Sequence, residues 1–201
     1  MVTQTGIARK ETLLAIVLIV AGIIGWIAAF ALIVERIHLL TDPSDPLSCD
    51  FSLLVQCKAN LESTQGAIFG FPNPIIGLGA WIAPIVVGAG MLSGARFGRW
   101  FWLAFNAGVL AALVLVIWLI TQSIFFLGTL CPWCMVTWSV TIPVFWAVTL
   151  RNLATGVIPS PARARRFFGG AYSWIIIIVI VSYLAVAIVA QLGLDVISRL
   201  G

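Results

Sequence analysis

Four cysteines stand in two pairs, Cys49 with Cys57 and Cys131 with Cys134, and they are the residues in this chain best suited to chemistry. Seven residues lie between the first two, and the second pair reads Cys-Pro-Trp-Cys. At i and i+3 of a helix start, the sulfurs of Cys131 and Cys134 fall on one face, close enough to bridge. The positive end of the helix dipole favours a thiolate there. Pro132 suits a first helical turn, where its missing N–H costs nothing. Such a pair supplies a reactive thiol and its resolving partner. Two structural disulfides, or one four-thiolate zinc site, are the alternatives. A spacing of seven is outside the usual zinc pattern and no His adjoins it. A bridge across two residues restricts the unfolded chain little, so it stabilises weakly. Met135 rather than His follows Cys134, which excludes a covalent c-type haem. A dithiol relay is the favoured reading.

The elements that position these pairs follow from composition. Of 201 residues, 62% are hydrophobic and 9% charged, against about 25% charged in a soluble domain. A water-facing surface cannot be built from this inventory, and the apolar runs are continuous rather than alternating. The expectation is a single all-α polytopic membrane domain over 1–201. Thr12 to Val34 is charge-free over 23 residues, and Pro74 to Leu92 over 19. Trp100 to Leu150 is charge-free over 51 residues, about 75 Å as one helix, so it must turn near Thr121–Ser123 and Gly128–Thr129. Five spans are predicted, at about 12–34, 74–92, 100–120, 126–150 and 171–194, with a redox loop at 35–73. The first is too long for a signal h-region and is read as retained.

Orientation comes from Lys and Arg. Arg9, Lys10, Arg96, Arg99, Arg151, Arg163, Arg165 and Arg166 fall on one side, and Arg36, Lys58 and Arg199 on the other. The first set, and with it the N-terminus, is assigned to the cytoplasm of a multi-pass cytoplasmic-membrane protein. All four cysteines then face the oxidising side, where disulfides persist. Arg163 to Arg166 reads as a juxtamembrane anchor for anionic lipid, with no nucleic-acid partner implied.

A relay in a membrane needs an acceptor there, and no Gly-rich nucleotide loop or flavin fingerprint is present. A lipid-soluble quinone fits, held by apolar and aromatic walls with few polar donors. Candidate walls are Phe69, Phe71, Trp81, Phe125, Phe126, Trp133 and Trp138. Asn73, between Pro72 and Pro74, is the best donor to a quinone oxygen, or else a helix cap.

Cys49-x7-Cys57, Ser63 six residues later, Phe-Gly-Phe-Pro-Asn-Pro at Phe69 to Pro74 and Cys131-Pro-Trp-Cys134 together resemble the bacterial branch of the vitamin K epoxide reductase family. The resemblance runs from the first span through the fourth. It implies a four-helix bundle around a quinone, with a fifth, peripheral helix. It also implies a shuttle pair, Cys49 and Cys57, exchanging with a partner thiol protein. Cys131 and Cys134 would be the pair beside the quinone, with Cys134 contacting the ring. Ser63 matches a family residue near the shuttle loop, and Asn73 the quinone-bonding asparagine. Trp138 stands where animal members have tyrosine. Its indole donates but cannot accept, which puts epoxide chemistry in doubt. With no fused thioredoxin-like domain expected, the partner is a separate Dsb-type thioredoxin-fold protein on the outer side. The acceptor is menaquinone, if the host resembles actinobacterial members, or ubiquinone, with no metal. By position, Cys49 meets the partner, Cys57 reaches inward, Cys131 receives it and Cys134 engages the quinone. Quinone or quinone-epoxide reduction for quinone recycling, and a non-enzymatic scaffold stapled by disulfides, are the alternatives.

Overall fold

The computed structural model describes residues 2–200, with side chains described from 10 to 198. Arg9 and Arg199 of the charge count therefore lie outside the described side chains. Among the described residues the chain is helical, with no strand beyond one isolated backbone bridge. Five segments are long and apolar enough to cross a membrane: Lys10–Thr41, Asn73–Leu92, Arg99–Leu127, Pro132–Ala154 and Ile175–Leu194.

Helix α1 (Val2–Thr41) continues well past the expected end at Val34. Residues 35–41 contain no helix breaker, and Pro43 is the first residue that disfavours continuation. The loop expected from residue 35 therefore starts at Asp42. It holds α2 (Lys58–Glu62) and a 3-10 turn (Thr64–Ala67). The second span is two helices, α3 (Asn73–Ala80) and α4 (Ile82–Leu92). Pro84 has no N–H for the Ala80 carbonyl and its ring crowds that oxygen, so the chain breaks at Trp81.

Helix α5 (Arg99–Thr121) runs into a π-helical turn (Gln122–Leu127) that Gly128 ends with φ +68°. Helix α6 is Pro132–Ala154, so the expected start at residue 126 moves to Pro132. The left-handed Gly128 and the proline at the first helical position set that boundary. Beyond it come α7 (Ala162–Ser173), α8 (Ile175–Leu194) and α9 (Val196–Leu200). Ala171, expected to open the fifth span, belongs to α7, as do Arg163, Arg165 and Arg166.

Helices α1 and α6 form the hub. The first packs on α3, α4 and α6, and the second on α1, α5, α7 and α8. Helix α8 lies outside the four, with the Trp146 indole N–H donating to Ser182 at 3.1 Å. At the end away from the cysteines, Arg151 of α6 donates to both carboxylate oxygens of Glu11 on α1, at 3.1 and 3.2 Å. Its guanidinium lies 4.0 Å from the Trp102 ring centre. Fully buried Asn152 donates to Asn106 at 3.0 Å and to the Trp102 carbonyl at 3.3 Å, tying α6 to α5. These polar groups are satisfied inside an apolar setting, which makes the clamp directional.

Close approach of α1 to α3 and α4 depends on glycines. A Cβ at Gly25 would collide with the Trp81 ring, and one at Gly88 with the Ala15 carbonyl and the Ile19 side chain. Gly25→Ala is expected to cost about 1–3 kcal/mol through overpacking. It should lower the thermal midpoint in detergent, and Trp81→Leu should restore part of the loss. An unchanged midpoint for Gly25→Ala would contradict this packing.

Candidate redox site

The loop after α1 folds back on the helix that precedes it. The Ser48 hydroxyl donates to Glu35, and its backbone N–H donates to the same carboxylate at 3.3 Å. Cys49 and Cys57 are joined in a disulfide. Asp50, next to Cys49, accepts from the backbone N–H of Cys57 at 2.7 Å, of Lys58 at 3.2 Å and of Leu47 at 3.4 Å. The N–H groups of Cys57 and Lys58 precede the first complete turn of α2 and have no partner within the helix, so an acceptor must come from outside it.

A second set of bonds ties this loop to the segment ahead of α6. Leu130 N–H donates to the Leu54 carbonyl at 2.7 Å, and Gln56 N–H to the Leu130 carbonyl at 3.0 Å. The Asn60 amide donates to the Thr129 hydroxyl at 3.1 Å, and the Ser123 hydroxyl donates to the Thr129 carbonyl at 2.6 Å. The Asn60 amide oxygen lies 3.2 Å from that Ser123 hydroxyl. The loop residue before Cys57 is thus bonded to the residue before Cys131.

The result is a sulfur contact: Cys131 Sγ lies 3.5 Å from Cys57 Sγ. Cys131 is the N-cap of α6, and its sulfur accepts from the Cys134 backbone N–H at 3.4 Å. Cys131 and Cys134 are free thiols. Cys49, Cys57 and Cys131 are buried with Leu32, Leu39, Leu47 and Leu61, and half-buried Cys134 and Trp133 edge the group. Cys134 also touches the apolar group around Leu54, Ile120, Ile124, Leu130 and Trp138. Among the described residues no three His, Cys, Asp or Glu side chains are grouped to hold a metal.

The other residues singled out above fall in different places. Ser63 donates to the Asn60 carbonyl at 2.7 Å and accepts from Gly66 N–H at 3.0 Å, so its hydroxyl caps the 3-10 turn. Asn73 opens α3, accepts from Ile68 N–H at 3.1 Å and donates to the Gln65 carbonyl at 2.7 Å. One amide hydrogen of Asn73 is left over from these bonds. Trp138 is buried on the α5 and α8 side, where it lines an open cavity of about 590 Å³ with Met135, Ile142 and Tyr183. Trp81 packs against α1 at Gly25, and Phe69 is exposed and stacked on Phe71. Asp50, Asn60, Ser123 and Thr129 complete the site, and no motif in the sequence marks them. Asp50 adjoins Cys49 and Asn60 follows Cys57 by three, but their partners are assigned only by the fold.

This arrangement is suited to thiol–disulfide exchange between the two pairs. The Cys131 thiol, one residue ahead of the fourth span, ionises below the ordinary range because the Cys134 thiol hydrogen-bonds to it. Burial and the Asp50 charge oppose that effect, and backbone N–H groups of α6 support it. Its thiolate fraction at neutral pH therefore exceeds that of the same thiol without this hydrogen bond. In Cys134→Ser, which keeps a hydroxyl donor and leaves Cys131 the single free thiol, titration of the S–H stretching band gives the Cys131 midpoint directly. In Cys134→Ala the midpoint should rise. Equal midpoints would contradict the hydrogen bond as the cause.

Residues 16–149 match the vitamin K epoxide reductase family, a stretch that includes both cysteine pairs, Ser63 and Asn73. No curated protein matches the chain. Two thirds of the sequence lies within the family match, and the chain belongs to the vitamin K epoxide reductase family.

Proposed function

We infer that this protein shares the general character of its family, a multi-pass membrane thiol–disulfide oxidoreductase that uses a quinone and works with a thioredoxin-like partner. We propose that this protein reoxidises a separate Dsb-type thioredoxin-fold protein and passes the electrons through Cys49–Cys57 and Cys131–Cys134 to a membrane quinone, menaquinone or ubiquinone. It thereby supports disulfide formation in exported proteins. The observation that carries this reading is the 3.5 Å separation of Cys131 Sγ from Cys57 Sγ.

The steps balance in sulfur and electrons. A partner thiolate attacks Cys49, and resolution leaves Cys49 and Cys57 reduced and the partner oxidised. Cys57 thiolate then attacks Cys131 of the Cys131–Cys134 disulfide, and the electron pair leaves on Cys134. Cys49 thiolate attacks Cys57, which closes Cys49–Cys57 and releases Cys131 as thiolate. The sulfur states observed, with the outer pair bonded and the inner pair free, correspond to this last product.

A quinone supplies a sink for two electrons and two protons. The residues around Cys134 fit such a group: it is half-buried at a helix start and bounded by Met135, Leu130 and Trp138. The Trp138 N–H can donate to a carbonyl oxygen, and Asn73, apart from this group at the start of α3, is the second donor proposed, through its remaining amide hydrogen. The cysteine end is assigned to the outer face of the cytoplasmic membrane, because Lys10, Arg96, Arg99, Arg151 and the α7 arginines belong to the other end.

Purified protein in liposomes, given a reduced thioredoxin-fold donor and a quinone, should convert one quinone per donor dithiol. Cys57→Ala and Cys134→Ala should each lower that turnover by more than about a hundredfold, since no other thiol completes the path. Quinone reduction at the wild-type rate by Cys57→Ala would overturn the relay. A protein whose sulfurs never change state with donor and quinone would be the stapled scaffold.

A further inference from the structure

The relay requires the outer disulfide to open on every turnover, yet its two sulfurs must find each other again quickly. Loop 49–57 is closed by more than its disulfide. The Asp50 carboxylate accepts from Cys57 and Lys58 N–H, at 2.7 and 3.2 Å. Phe51 and Ser52 N–H donate to the Val55 carbonyl at 2.9 and 3.0 Å. The first two bonds join the residue after Cys49 directly to Cys57 and its successor, so they span the same gap as the disulfide. None of them involves sulfur, so opening the disulfide removes none of their donors or acceptors.

We propose that Asp50 is a positioning residue, a non-covalent tether that holds Cys49 beside Cys57 while their disulfide is open. The proposal rests on the relay reading and adds a role to it. When Cys57 is bonded to Cys131, the step that completes transfer is attack by the Cys49 thiolate on Cys57 Sγ. The Cys49–Cys57 bond forms, the Cys57–Cys131 bond breaks, and the electron pair leaves on Cys131. The pair 49/57 is oxidised and the pair 131/134 is left reduced. The rate of this step depends on the local concentration of Cys49 at Cys57, which a tether raises and a free loop lowers. α2 spans only Lys58–Glu62, and so short a helix does not persist without outside help. Its first donors stay fixed because a charged acceptor meets them, and charge-assisted bonds are about twice as strong as neutral ones.

The test uses the full chain with all four cysteines. Oxidised protein is mixed with a reduced thioredoxin-fold donor, quenched with acid at intervals and mapped without reduction for the Cys57–Cys131 cross-link. In the wild type this species should decay quickly. In Asp50→Ala it should persist about tenfold longer or more, the effect of losing a charge-assisted hydrogen bond. Asp50→Asn keeps one acceptor oxygen but no charge, and should persist about threefold longer. A simple cap on α2 would lower thermal stability in both variants without lengthening the life of the cross-link. Wild-type decay in Asp50→Asn, or in a folded Asp50→Ala, would overturn the tether. If Asp50→Ala does not fold, the Asn variant decides alone. Cys49→Ala, which lacks the resolving sulfur, separates the two readings: no Cys57–Cys131 species there means that the relay itself is wrong.

Discussion

Electrons cross between two cysteine pairs only when their sulfurs come within bonding reach, and 74 residues separate Cys57 from Cys131. What closes that distance is a short backbone pairing, in which Leu130 bonds to Leu54 and to Gln56. Each cysteine of the contact follows directly on a paired residue. The side chains of Asn60, Ser123 and Thr129 lock the same junction from beside it. Helices α1, α5 and α6 serve this junction by bringing its strands of chain to one end of the bundle. The Glu11–Arg151 and Asn106–Asn152 contacts hold those same helices at the other end.

Burial gives the contact its chemical character. Cys57 and Cys131 have no exposed surface, and leucines surround them. Water and adventitious thiols are kept from an exchange that would otherwise leak electrons. The same burial opposes formation of a thiolate, and the Cys134 hydrogen bond and α6 backbone N–H groups offset it at Cys131. Cys49 is buried as well, whereas Phe51 and Leu53, between the two bonded cysteines, are exposed. An approaching molecule therefore meets that flank before it meets the Cys49 sulfur.

Much of this was legible in the sequence because membranes impose simple rules. Charge-free runs announced five spans, and Cys-Pro-Trp-Cys announced a helix start, since both signals are local. Boundaries were less legible. Glu35 to Thr41 carries charge, and charge marks an exit from the membrane but does not stop a helix. The break at Trp81 follows from Pro84, which lies inside an apolar run that hydropathy alone makes one span. Residue types at the site were partly legible and their partners were not. Ser63 and Asn73 stood out by spacing, yet the bonds they make are to Asn60, Gly66, Gln65 and Ile68 in a compact loop. Asn60 and Thr129 meet across 69 residues, and no pattern near either one signals the other.

The proposed relay makes Cys57, and not Cys49, the outer sulfur that exchanges with the inner pair. Peptide mapping without reduction of Cys49→Ala and Cys57→Ala, each isolated after oxidation of its Cys131–Cys134 pair by a quinone, reads which outer sulfur it is. A cross-link to Cys131 should form in Cys49→Ala and be absent in Cys57→Ala. Equal cross-linking of Cys131 to Cys49 in the Cys57→Ala chain would contradict that assignment.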